Sequence, residues 1–121
     1  MHLTVLSERK MESIQLQLIE EPKNRLNILN PDRIILFGSH AQGTAGVDSD
    51  IDLIVVLNKE ESTGSFREKM ASTVAVRQLL ADINRQVALD VLVYSKGEWQ
   101  ALVESQSSFS RDILENGITL Q

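Results

Sequence analysis

Five residues of this chain have the types and spacing to do chemistry: Gly38 and Ser39, then Asp50 and Asp52 with one residue between them, and finally Asp90. Side chains along a strand alternate between faces, so in an extended stretch Asp50 and Asp52 project one way while Ile51 and Leu53 face the other. Two acids then converge on one point. The run that follows, Leu53 to Leu57, is apolar at every position and suits a strand covered on both faces. Carboxylates at the mouth of such a strand are poor core material, because a buried unpaired charge costs several kcal/mol or more. A divalent cation is their natural partner.

Together with the Gly-Ser pair, these acids suit transfer of a nucleotidyl group. That reaction needs a triphosphate held, its charge neutralised and an attacking hydroxyl aligned opposite the leaving pyrophosphate. Two metal ions roughly 3.5 to 4 Å apart can do this. Oxygen ligands suit Mg²⁺, which keeps several waters and takes few carboxylates, so three aspartates are adequate. Glycine lets backbone approach phosphate closely, and the Ser39 hydroxyl and turn N–H groups are fitting donors. Two rival motifs fail on spacing. Asp48, Asp50 and Asp52 imitate the start of a calcium-binding EF-hand loop, but Leu53 stands where Gly and Lys59 where Glu is needed. Gly38 and Gly43 have P-loop spacing, yet Thr44 and Ala45 follow where Lys and Ser or Thr are required.

The elements that must position these residues can be read from periodicity. Met11, Ile14, Leu18, Leu26 and Leu29 fall on one helical face, in phase across Pro22, which either kinks one helix or starts a second. Asn30-Pro31-Asp32 turns the chain into a first strand, Arg33 to Phe37, ending at Gly38. His40 to Gly43 suits a short helical turn, Thr44 to Ser49 a loop, and Asp50 to Leu57 the second strand. Phe66, Met70, Val74, Leu80 and Ile83 trace a helix of about five turns, expected to pack across the sheet. Ala88 to Tyr94 is a third strand with Asp90 inside it. Ser95 and Glu98 have capping-box spacing before a helix through Trp99, Leu102 and Val103. Ser107 can cap a last helix through Phe109, Ile113 and Leu114, closed by Asn116-Gly117, and Ile118 to Leu120 suits a short edge strand.

With 121 residues the chain suits one compact domain. Its 12 basic and 17 acidic residues give a net charge of −5, with no basic cluster, which argues against direct nucleic-acid binding as the main task. It has no cysteine, so disulfides and thiolate metal sites are excluded. No apolar run approaches the ~20 residues that span a bilayer, and the N-terminus lacks signal-peptide character. The expected location is cytoplasmic, without membrane association.

In the order and type of its elements from about Leu26 to Tyr94, the chain resembles the DNA polymerase β-like nucleotidyltransferase superfamily, and in its shortness the minimal nucleotidyltransferase (MNT) branch. The tail SSFSRDILENGITL is similar to the end of such minimal proteins. The expected architecture is α/β (α+β), a nucleotidyltransferase fold with a small mixed sheet of three to four strands flanked by helices. It forms one domain over 1–121, with an N-terminal helical segment at 4–29, a catalytic core at 33–94 and C-terminal helices at 96–116. The resemblance implies that Asp50, Asp52 and Asp90 are the catalytic, metal-binding residues, with Asp90 nearer the acceptor, and that Gly38 and Ser39 hold the triphosphate. It implies two Mg²⁺ ions, ATP as the nucleotide, and a hydroxyl acceptor. Minimal members are often encoded beside a HEPN-domain ribonuclease toxin and act as its antitoxin by adenylylating a toxin tyrosine, so such a toxin is the expected partner. The alternatives are a small-molecule enzyme of the antibiotic-modifying type and a non-catalytic partner-binding subunit. One departure stands out. Minimal members commonly read Gly-Ser-Arg-x-Arg-Gly, and here His40 and Gln42 occupy the arginine places. Apolar residues on the last two helices suit a homo-oligomer or a heteromeric partner equally.

Overall fold

A computed structural model describes residues 4–5, 13–46, 49–60 and 66–121, with backbone alone for 4–5 and 13–17. Strands form where aliphatic and β-branched residues concentrate. β1 (Thr4–Val5), β2 (Arg33–Phe37), β3 (Ile51–Val56), β4 (Leu89–Tyr94) and β5 (Ile118–Thr119) make a sheet in the order β1-β5-β2-β3-β4. β2 pairs antiparallel with β3 and β5, while β3 with β4 and β1 with β5 are parallel. The mixed sheet flanked by helices is as expected, with a fifth strand added. Thr4–Val5 corrects the helical segment expected from residue 4. Both residues are β-branched or Thr-like strand formers, and β5 offers them an open edge, so β5 is interior rather than an edge strand.

Helix α1 (Ser13–Leu26) carries Pro22 within it as a single helix and passes into a 3-10 turn at Asn27–Leu29. The expected apolar position at Met11 lies outside the described residues. Asn30 ends the turn in left-handed geometry, at φ 48°. Short α2 (Gly38–Gln42) follows β2 directly. α3 (Phe66–Leu79) and α4 (Ala81–Asn84) cross from β3 to β4, and α5 (Lys96–Ser105) and α6 (Ser108–Asn116) close the fold.

Two apolar clusters lie on opposite faces of the sheet. On one, α1, α3 and α4 bring Ile19, Leu26, Val76, Leu80 and Ile83 against Ile34, Leu36, Leu53, Val55, Val91 and Val93. On the other, Trp99 of α5 and Ile113 of α6 cover Ile35, Ile54 and Val56. The all-apolar stretch of β3 is thus buried on both sides. Each such Leu or Ile side chain removed from water stabilises the fold by about 1.5–3 kcal/mol.

The single five-turn helix expected from Phe66 to Ile83 does not form. α3 stops at Leu79, and Phe66, Met70 and Val74 are exposed, Phe66 by 81%. At 100° per residue these three sit roughly 110° around the helix from the buried line of Val76, Leu80 and Ile83. The spacing of six between Val74 and Leu80 breaks the phase, and burial follows the second set.

Caps fall where the sequence puts them. The Ser95 hydroxyl accepts from Glu98 N–H at 3.1 Å, and Glu98 Oε1 accepts from Ser95 N–H at 3.0 Å. Ser107 Oγ accepts from Ser110 N–H at 3.1 Å. Gly117 ends α6 in extended rather than left-handed backbone.

Candidate active site

The fold places Asp52 at the centre of the five expected residues. In β3 it shares a face with Ile54 and Val56 by the two-residue alternation, and its register partners are Phe37 in β2 and Asp90 in β4. Asp90 is therefore its neighbour on the same face of a parallel pair. Asp50 stands exposed immediately before β3, which begins at Ile51 rather than at Asp50 itself. α5 and α6 cover Ile54 and Val56 but leave this end of the sheet open, since Asp50 and Asp90 are both exposed.

Gly38 follows Phe37 with φ +73°, and a Cβ built there would overlap the Asp52 carboxylate. Only glycine gives both the backbone angle and the space. The sharp turn brings α2 against the mouth of β3. The Asp52 carboxyl is pushed above the usual aspartate range, by burial first, then by the negative charges of Asp90 and Asp50, while His40 pulls the other way. Asp50 and Asp90 thus both lie within electrostatic reach of Asp52.

Residues 16–119 match the family described as the nucleotidyltransferase domain. The chain belongs to that family. Among solved structures it is similar to a candidate nucleotidyltransferase from Sulfolobus solfataricus, known at 1.40 Å, with a TM-score of 0.52 and 17% identity over 87% of this chain and 80% of that one. The likeness extends to the fold. No curated protein matches.

Nucleotidyltransferase domains use a nucleoside triphosphate and a divalent metal, and the donor set here fits such a cation. Hard carboxylate oxygens are the donors Mg²⁺ takes, and a dication would offset both the burial and the neighbouring negative charges that raise Asp52. Among the described residues no three acidic or imidazole side chains are gathered closely enough to hold a metal ion as they stand. The fit therefore rests on donor chemistry and register.

The nucleotidyltransferase holds the approach to Asp50 with a short network. His40 is buried, 6% exposed, and its Nε2–H donates to the Ser49 carbonyl at 3.2 Å. His40 Nδ1 has no partner among the described residues. Gly46 N–H donates to Ser49 Oγ at 2.8 Å, and Thr44 N–H to the Ser39 carbonyl at 3.0 Å. His40 thus anchors the loop before Asp50 instead of standing free beside phosphate. Ser39 is half-buried in the first turn of α2, and its hydroxyl has no bond among the described residues.

Sequence reasoning missed a cleft of about 210 Å³ beside β4, lined by Arg77, Leu80, Asn84, Leu89, Asp90 and Val91. Arg77 was one of several charges on an expected helix, and its place beside β4 follows from how α3 packs on the sheet, which no local pattern shows. Lys69 was equally silent. Its ammonium donates to the Val93 carbonyl, bonds Glu98 Oε1 at 2.9 Å and lies 5.3 Å from the Tyr94 ring centre.

Proposed function

We propose that this nucleotidyltransferase moves AMP from ATP, with Mg²⁺, onto a hydroxyl of a partner protein, and that its acceptor is a tyrosine of a HEPN-domain toxin which it restrains as an antitoxin. The observation that carries the chemistry is the placing of Asp52 against Gly38 and in register with Asp90, with Asp50 in electrostatic reach. Asp50 and Asp52 would hold the Mg²⁺, with Asp90 as a further ligand on the acceptor side. The chemistry Mg²⁺ would supply there is neutralisation of phosphate charge and a lowered pKa for the acceptor hydroxyl. Gly38 keeps the turn close enough for Ser39 to donate to a phosphate oxygen. Asp90, exposed on the outermost strand, is open to an acceptor from solvent, and its carboxylate suits the hydroxyl proton. The acceptor oxygen bonds to the α-phosphorus as the bond to the bridging oxygen breaks, and pyrophosphate leaves.

A protein acceptor is favoured by size. The cleft beside Asp90 falls below the ~300–1,000 Å³ usual for small-molecule sites. The deciding experiment is the intact mass of the protein encoded beside this one, after co-expression with the unmodified chain and with Asp52→Asn. The expected result is one or more adenylates added only by the unmodified chain. A stable complex with both and no mass gain would instead make this a masking subunit whose acids do not catalyse. Rapid modification of a free small molecule by the isolated chain would overturn the protein acceptor.

A further inference from the structure

β4 is the terminal strand of the sheet, so one of its edges faces no other strand. Its even-numbered residues turn their backbone toward β3: the Ala88 carbonyl accepts from Ile51 N–H at 2.9 Å and the Tyr94 carbonyl from Leu57 N–H at 2.7 Å. Leu89, Val91 and Val93 therefore turn theirs outward, by the alternation of a parallel ladder. Two of those outward groups are covered. Leu89 N–H donates to Asn84 Oδ1 at 2.7 Å, and Lys69 caps the Val93 carbonyl. Between these plugs, the Leu89 carbonyl and both backbone groups of Val91 have no partner among the described residues.

The gap opens into the cleft under Arg77, Leu80 and Asn84. Its volume suits a side chain rather than a nucleotide. The Arg77 guanidinium makes no hydrogen bond or ion pair among the described residues, so the cleft offers an unpaired positive charge. An open backbone edge is a template for an extended chain, and a cation at its side selects what that chain carries.

We propose that the β4 edge at Leu89–Val91 is the docking site of the acceptor: an extended segment of a partner protein, added parallel to β4, with a hydroxyl residue flanked by Asp or Glu. This rests on the nucleotidyl-transfer reading of the same site. In a parallel ladder, a residue that donates its N–H to the Leu89 carbonyl and accepts from Val91 N–H lies across from Asp90. Its side chain is on the Asp90 face, with Cβ atoms about 5 Å apart as in ordinary strand neighbours. The hydroxyl then meets the acid that completes the acceptor side of the site. The flanking residues turn to the opposite face, shared by Val91 and Leu80, where an acidic group meets Arg77.

The test is an NMR titration of the ¹⁵N-labelled full chain with millimolar Ac-Ala-Glu-Tyr-Glu-Ala-NH₂, its Lys-Tyr-Lys counterpart, and the acidic peptide N-methylated at tyrosine. The acidic peptide is expected to shift the Val91 amide, the N-methyl peptide to lose binding, and Arg77→Glu to weaken the acidic peptide by roughly fivefold while favouring the basic one. Equal binding of the N-methyl peptide, shifts confined to Phe66, Met70 and Val74, or no binding by any peptide would overturn the edge. Intact mass after incubation with ATP and Mg²⁺ separates the two readings. A docked acidic peptide that gains no adenylate leaves the edge standing and sinks transfer; one that gains adenylate regardless of N-methylation sinks the edge and keeps transfer.

Discussion

Gly38 and Gly43 bracket α2 with nearly the same backbone angle, φ +73° and +75°, yet only Gly38 has the Asp52 carboxylate against its α-carbon. A side chain at Gly43 meets nothing within 4 Å, so Gly43→Ala carries backbone strain alone, about 1 kcal/mol. Gly38→Ala adds a collision with the Asp52 carboxylate. It is expected to cost about 1–2 kcal/mol more in chemical denaturation than Gly43→Ala, and to reduce transfer by at least tenfold where Gly43→Ala leaves most of it. Equal effects of the two would show that Asp52 moves aside without consequence. The sequence marked Gly38 for a close approach to phosphate, and the structure adds a nearer reason. His40 was legible only as part of a short helical turn, because nothing local indicates that its ring is enclosed and reaches Ser49 nine positions on. Asp50 and Asp52 were legible as a pair because alternation and an apolar run define a strand start without help from distant contacts, and Asp90 because it is the one charge inside an apolar strand.

At the level of elements, α3 shows what periodicity alone misses. Five apolar positions look like one stripe until their angles are summed, and packing against the sheet then chooses Val76, Leu80 and Ile83 over Phe66, Met70 and Val74. Leu80→Ala is accordingly expected to cost about 2–5 kcal/mol in urea unfolding, and Phe66→Ser to stay within about 0.5 kcal/mol of the unmodified chain. A large loss from Phe66→Ser would restore the single amphipathic helix. The start of α5 makes a second, pH-dependent case. Burial raises the Glu98 carboxyl, but the Ser95 N–H and the Lys69 ammonium outweigh it and hold it below its ordinary value of 4.5. A depressed carboxyl stabilises the fold above its unfolded pKa and loses that contribution as pH falls through the folded one. Glu98→Gln should lower the melting temperature at neutral pH and flatten its fall between about pH 5 and pH 3. An unchanged acid slope would assign that loss to other carboxylates. The caps at Ser95 and Ser107 were legible from four-residue patterns, whereas Lys69 reaches Glu98 only through the β3–β4 crossover, which no local window contains.

For the whole molecule, the open end of the sheet is a cost to stability that function accounts for. The chain carries net charge −5 and sets Asp50 and Asp90 within electrostatic reach of Asp52. Asp52 has a raised pKa, so its ionised form is disfavoured in the folded protein, and the penalty grows as pH rises from the ordinary aspartate range through the raised value. At neutral pH, without a cation, the penalty is fully present. Asp52→Asn removes it, and should raise the melting temperature in chelator by about 1–4 °C even as it removes activity. Added Mg²⁺ should reverse the ranking, because a ligand binding only the folded state stabilises it by about 2.7 kcal/mol at roughly 100 times its dissociation constant. The unmodified chain is therefore expected to melt lower than Asp52→Asn in chelator and higher in Mg²⁺ with a non-hydrolysable nucleoside triphosphate, the two melting curves crossing as metal is added. A variant that melts lower under both conditions would make Asp52 a structural anchor of the Gly38 turn, and would separate the geometry of the site from the metal chemistry assigned to it.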